Sequence, residues 1–262
     1  MKVIDSHAHI YPDKIAERAV ENVGAFYGVS MAGKGSAENL LEVTKESPIS
    51  HFIVHSVALK PELVRPINDF IDQACRTHSE FIGFATMHQD FEDKEAEINR
   101  IIDLGLRGVK IHPDSQKVNM DDPRLMELYE IIEGRLPIIV HTGDYRYDYS
   151  HPRRMKKILR TFPDMVVDAA HFGGWSVFDV GVEFLLEENC FMDASSSFAF
   201  MEKEKAKELI NAYGSDRIMY GSDYPMWDPV TELEHMMGLG FSEEILEKLL
   251  CKNAESFLGF EV

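Results

Sequence analysis

Short apolar runs recur along the chain, and most of them end in a polar residue. The first is Val3-Ile4, running into Asp5-Ser6-His7-Ala8-His9; the others occupy residues 51–55, 81–85, 108–112, 137–141, 165–171, 190–194 and 217–223. Rich in Val, Ile and Phe and bounded by turn residues, they read as eight buried strands. Between them the apolar positions switch to a helical period, as with Ile67, Phe70, Ile71 and Ala74 in 64–75 and Ile98, Ile101 and Ile102 in 95–104. Further helical segments are expected at 125–132, 153–159, 177–186 and 203–213, and 241–250 closes the chain. Strands alternating with helices imply βαβ units and a parallel sheet. Eight such units in 262 residues imply a closed (β/α)8 TIM barrel. A doubly wound open sheet is the alternative, but no Gly-x-Gly-x-x-Gly follows any strand. No linker, low-complexity run or repeat interrupts the pattern, so residues 1–262 read as one domain.

The stretch before the second strand is less regular. A helix is expected after Pro12 to about Val23. Gly24, Gly28, Gly33 and Gly35 then punctuate a segment carrying Phe26, Tyr27 and Met31, which reads as a mobile covering loop or an ordinary surface connection. Ser36 reads as the N-cap of a helix to Glu46.

Composition narrows the function classes. Lys plus Arg total 27 against 45 Asp plus Glu, a formal charge of −18. That balance argues against nucleic acid or an anionic membrane as partner. Three widely spaced cysteines, Cys75, Cys190 and Cys251, form no bridge framework, and reduced thiols in a cytoplasmic enzyme are the simplest account. No apolar window is long enough for a membrane span, and no signal-peptide core is seen at the N-terminus.

The chemistry lies at the strand ends. Residues two apart on a strand share a face, so His7 and His9 project together. Taken alone, that pair reads either as metal ligands or as partly exposed histidines near a terminus. Yet His55, Lys110, His112, His141, His171 and Asp223 join them at the C-terminal ends of strands, where barrel enzymes build their active sites. Burying so many imidazoles and charges is costly, and a shared divalent metal would offset that cost.

The motifs Asp5-Ser6-His7-Ala8-His9, Gly108-Val109-Lys110-Ile111-His112-Pro113 and Pro137-Ile138-Ile139-Val140-His141-Thr142-Gly143 carry a resemblance. So do Ala170-His171-Phe172-Gly173-Gly174, Asp216-Arg217-Ile218-Met219-Tyr220-Gly221-Ser222-Asp223-Tyr224-Pro225 and Asn253-Ala254. In this order they resemble the amidohydrolase superfamily, and within it the second amidohydrolase family. That family comprises metal-dependent hydrolases and nonoxidative decarboxylases such as aminocarboxymuconate semialdehyde decarboxylase. The resemblance implies one divalent metal, zinc by preference, held by His7, His9, His141 and Asp223. His171 would stand free of it as acid–base or electrostatic catalyst. A zinc-bound water near pKa 7 would supply hydroxide, with Asp223 also accepting its proton. In binuclear relatives a carboxylated lysine on strand four bridges two metals; the expectation here is one metal, with Lys110 and His112 facing an anionic substrate.

Weaker candidates complete the reading. An internal salt bridge to Asp5, Asp168 or Asp193 is the alternative for Lys110. Asp5 could also orient a ligating histidine. Arg146 is a candidate carboxylate clamp and Trp227 a pocket wall, with Phe26 or Tyr27 as further walls. His55 and His88 either line the pocket or sit as satisfied core histidines. The expected function is hydrolysis of an amide, ester or lactone in a small, anionic substrate. Nonoxidative decarboxylation of an unsaturated or aromatic carboxylic acid is the alternative, and a noncatalytic ligand-binding barrel is a third class. The expected partner is the small-molecule substrate, with a homodimer admitted.

Overall fold

The structure, a computed structural model, describes residues 2–262. Strand β1 is Val3–His9, followed by helices α1 (Asp13–Tyr27) and α2 (Ala37–Thr44). Then come β2 (Ile49–His55), α3 (Val64–Thr77), β3 (Phe81–Thr86), α4 (Lys94–Leu104) and β4 (Gly108–Ile111). A single turn α5 (Pro113–Gln116) and α6 (Pro123–Ile132) lead to β5 (Ile138–Val140), α7 (Pro152–Thr161), β6 (Val167–Ala169) and α8 (Phe178–Leu185). The chain continues as β7 (Met192–Asp193), α9 (Lys203–Tyr213), β8 (Ile218–Met219) and α10 (Pro229–Met237). It closes with α11 (Glu243–Glu247), a wide π-turn Lys248–Lys252 and α12 (Asn253–Leu258).

Strands β1 to β6 pair in sequence order, all parallel, and β7 pairs with β8. Bridges at Asp168–Phe191 and Ala8–Tyr224, with Ser6 N–H donating to Tyr220 O at 2.9 Å, join the two sets into a ring. This is the expected (β/α)8 barrel. The strands are read correctly from sequence because both of their faces are buried, which leaves apolar runs without alternation.

Two apolar clusters follow from the geometry. The larger lies between strands and helices, with Val54, Val109, Ile111, Val140 and Val167 facing Leu40, Ile71, Ile98, Leu128 and Ile158. The smaller contains Ile4, Ile53, Phe84, Ile139 and Met219 with Phe257 of α12. Ile53 and Ile139 precede His55 and His141 by two residues and so share their inward face. The lower barrel is therefore apolar and stoppered by α12, and the upper barrel carries the polar groups.

Three local expectations are corrected. Helix α1 does not stop at Val23; it passes through Gly24, where a Cβ would lie 2.9 Å from Val29 O. Phe26 and Tyr27 thus end a helix instead of riding a loop. The last helical segment runs past residue 250 to Leu258, and α10 stands before it, capped by Asp228 with Pro229 at its first position. Ser36 does cap helix α2, its hydroxyl accepting from Asn39 N–H at 3.2 Å.

Candidate metal centre

The upper barrel is lined by His7 and His9 from β1, His55 from β2, Lys110 from β4, and His112, His141, His171, Asp193 and Asp223 at or just beyond later strands. Adjacent strands in register place His9 beside His55. The pocket is nearly closed to solvent: His7, His55 and Lys110 are fully buried, and His141, His171 and Asp223 are buried. Burial holds five of these histidines neutral. It depresses His7 to about 3, lowers His9, and drives His55, His112 and His141 well below the ordinary imidazole value, with Lys110 and neighbouring imidazoles adding to the effect. Neutral imidazoles keep a lone pair, which metal binding requires.

Asp193 of β7 organises the floor of this cluster. Its Oδ2 accepts from His7 Nδ1 at 2.8 Å; its Oδ1 accepts from Ser195 N–H at 2.9 Å, His171 N–H at 3.3 Å and the Ser195 hydroxyl. Burial opposes the charge on Asp193, but the His7 and Ser195 bonds outweigh it and hold the carboxyl well below its usual range. Because His7 is neutral, this is a hydrogen bond to an anion and not an ion pair. It puts the His7 proton on Nδ1 and leaves Nε2 as a lone pair aimed into the pocket, the carboxylate–histidine pattern that orients metal ligands.

Asp223 closes the other side. Its Oδ1 lies 3.3 Å from His9 Nε2 and 3.7 Å from His7 Nε2. Bonds of about 2.0–2.2 Å to one ion set ligand–ligand edges of roughly 3.3–3.6 Å in a tetrahedron. Asp223 Oδ1 therefore lies at metal-sharing distance from each of the two imidazoles, and the donor types suit a divalent metal. Asp223 Oδ2 accepts from Ser196 Oγ at 2.5 Å, and Trp227 Nε1 donates to the same Ser196 oxygen at 2.8 Å. Trp227 thus supports Asp223 through Ser196.

His171 bridges the two halves, its ring 4.9 Å from His7 and 4.8 Å from His141. Its Nδ1 faces the Ser195 carbonyl at 3.0 Å, which can only accept, so Nδ1 carries the hydrogen and Nε2 is left 3.0 Å from His141 Nδ1. His171, Ser196 and Asp223 all hold left-handed backbone, at φ 61°, 52° and 57°. Such conformations cost a non-glycine residue on the order of 1 kcal/mol or more and cluster at functional sites.

The remaining predicted residues divide. Lys110 Nζ donates to His7 Nε2 at 2.9 Å and forms no ion pair among the described residues. Burial lowers it to about 8 against the opposing fields of Asp193, Asp223 and Asp168. Asp5 does not reach a histidine ring. It accepts from His7 N–H at 3.1 Å and from Ser222 N–H and Oγ at 2.9 and 2.5 Å, tying β1 to the residue before Asp223. His112 stacks on His141 at 4.0 Å and 10°, with Nε2 2.7 Å from the Tyr27 hydroxyl. Arg146 presents no free fork: Asp144 takes its Nε and Nη2, Phe26 O takes Nη1, and its plane lies against Phe26, Tyr27, Tyr147 and Trp175. His88 stands apart from the cluster, its Nδ1 accepting from Asp90 N–H.

Sequence reasoning missed Ser195 and Ser196 and weighed Asp193 only as a partner of Lys110. It also missed Asp114, whose Oδ2 lies 3.6 Å from His141 Nε2 and whose carboxyl burial pushes up to about 7. No helix among the described residues is long and apolar enough to cross a membrane.

Known proteins resemble this chain in sequence and in fold. The 2-amino-3-carboxymuconate-6-semialdehyde decarboxylase of Dictyostelium discoideum is 26% identical over 247 residues, covering 76% of this chain and 67% of its own. A dihydroxybenzoic acid decarboxylase from Polaromonas, solved with manganese and the inhibitor 2-nitroresorcinol, superposes with a TM-score of 0.76 at 15% identity. The match covers 98% of this chain and 97% of that one. A Pseudomonas putida protein assigned as a 2-pyrone-4,6-dicarboxylic acid hydrolase superposes at 0.72 and 19% identity, covering 100% of this chain and 98% of that one. Both chemistries expected from the sequence are thus represented among similar proteins. The family model described as Amidohydrolase matches residues 4–260, and the chain belongs to that family.

Proposed function

We propose that the protein is a metal-dependent, nonoxidative carboxy-lyase acting on a small unsaturated or aromatic carboxylic acid. The observation that carries this reading is the state of Asp223. Hydrolysis would need a base beside the attacking water. Both Asp223 oxygens are instead engaged: Oδ1 lies 3.3 Å from His9 Nε2 and 3.7 Å from His7 Nε2, and Oδ2 accepts from Ser196 Oγ. A carboxylate so engaged is a weak base, though a good ligand. The decarboxylases among the similar proteins support the same reading.

His7, His9, His141 and Asp223 would hold the divalent metal, which when bound supplies positive charge to steady the electron pair left on the substrate. The chain's own residues do the rest. The closed pocket excludes water, which strengthens every charge interaction inside it. The substrate C–C bond breaks, carbon dioxide departs without the bonding pair, and the vacated carbon takes a proton. His171, with Nδ1–H fixed on Ser195 O, delivers that proton from Nε2 when doubly protonated. The Tyr27 hydroxyl beside His112 and the Lys110 ammonium are the donors placed to hold the substrate's oxygens.

The test is turnover of metal-loaded protein in D2O with unsaturated and aromatic carboxylates alongside lactones and esters. The expected result is carbon dioxide release with one deuterium at the vacated carbon. Acid release from a lactone or ester with no carbon dioxide from any carboxylate would overturn the reading in favour of hydrolysis.

A further inference from the structure

His55 is the one histidine among the described residues with both ring nitrogens buried and unpartnered. A core histidine normally has at least one nitrogen hydrogen-bonded, because an unmet buried polar atom costs its full desolvation. Its surroundings explain why none is met inside the protein. It ends β2 directly beside His9 in the parallel ladder, so the two rings share the inward face. The His55 ring stands edge-on to His9 at 4.4 Å and 89°, and to His7 at 4.8 Å and 79°. One nitrogen from each of His7, His9 and His55 falls within 4.8 Å of the others. Two further clusters of candidate ligands differ from this one. His7, His171 and Asp193 are already hydrogen-bonded to one another or to Ser195. His112 and His141 stack nearly parallel, so their in-plane lone pairs do not converge on one point.

We infer that His55 is a ligand of the divalent metal, added from β2 to the donors of β1 and the end of β8. The inference rests on the reading of this pocket as a metal site. A ligand from β2 would raise the nitrogen content of the site and favour borderline metals such as zinc or cobalt over magnesium or calcium. It would also fix the ion against β1 and β2, leaving the side nearer His171 for substrate.

The experiment compares wild type with His55→Phe, which keeps a planar ring against His7 and His9 but has no donor, and His55→Gln, which keeps one. Each is stripped, checked by circular dichroism and titrated with Co2+ and Zn2+ against a competing chelator. Loss of a mere outer-shell partner weakens metal binding about 10–100-fold, so loss of a ligand should cost at least roughly 10-fold. We expect His55→Phe to bind at least that much more weakly, with visible cobalt bands shifted and intensified by the lower coordination number. The stripped His55→Phe protein should melt no lower than stripped wild type, because the change removes two unmet polar atoms. His55→Gln should fall between the two in affinity. Affinity within about twofold of wild type and an unchanged cobalt spectrum in His55→Phe, even with altered KM, would overturn the inference and leave the metal site intact. Failure of wild type itself to bind either ion would instead overturn the metal reading.

Discussion

Replacing Asp193 with Asn changes one atom in a fully buried hub, and the structure dictates which way the amide must turn. Oδ1 receives three donors, Ser195 N–H, His171 N–H and the Ser195 hydroxyl; Oδ2 receives only His7 Nδ1–H, at 2.8 Å. The amide oxygen must therefore take the Oδ1 place, and its NH2 then meets His7 Nδ1–H donor against donor. His7 escapes by moving its hydrogen to Nε2, which removes the lone pair that points into the pocket. A hydrogen bond to a charged group is worth about 1.5–3 kcal/mol, and losing an outer-shell carboxylate costs about 10–100-fold in metal affinity. Those figures agree, since tenfold is about 1.4 kcal/mol. Chelator competition with Zn2+ and Mn2+, with near-ultraviolet circular dichroism as the folding control, should show that drop in a folded protein. Wild-type affinity in folded Asp193→Asn would refute the argument that Asp193 sets the His7 tautomer.

Other predictions follow from neighbouring residues. His171→Gln should retain its metal yet lose about 10²–10⁴-fold in turnover, and loss of the metal would make His171 a ligand instead. Glu232 is buried, and burial, reinforced by Asp223, Asp5 and Asp228, lifts it from 4.5 to about 8. Its folded value lies above its unfolded one, so its stabilising share is complete below about pH 4.5 and is lost as pH climbs towards 8. Glu232→Gln should thus be neutral near pH 4 and stabilising at pH 7, by at most about 3 kcal/mol; a melting gain that shrinks with rising pH would contradict this. Gly143 holds φ 88°, and a Cβ there would lie 2.6 Å from the Gly174 backbone. Gly143→Ala should therefore cost more than about 2 kcal/mol in denaturant unfolding, and a loss within 0.5 kcal/mol would show that the β5 and β6 loops yield.

How much of this was legible in the sequence depended on where each signal lay. The strands were visible because parallel barrel strands are apolar on both faces, and the histidines stood out as polar residues ending such runs. Arg146 misled because a loop arginine shows no sign of its partner; the partner is Asp144, two residues away in a turn. Asp193 was visible but ambiguous, since its bond to His7 spans 186 positions. Ser195 and Ser196 carry no signal of their own in the sequence, and only the fold brings Ser196 to Asp223. In the sequence His55 reads as a satisfied core histidine or a pocket residue; the structure buries it but gives it no partner. Helix α1 outran its predicted end because Gly24 accommodates the returning chain at Val29, a tertiary reason that local propensity does not contain.

The claim on which the mechanism depends is that one ion sits among His7, His9 and Asp223. Anomalous diffraction from crystals of the full chain loaded with Mn2+, recorded on both sides of the metal edge, locates that ion directly. The expected result is a single peak per chain, about 2.0–2.3 Å from His7 Nε2, His9 Nε2 and Asp223 Oδ1, with His7 Nδ1 still on Asp193. A peak among His112, Asp114 and His141 instead, or two peaks bridged by a modified Lys110, would contradict it.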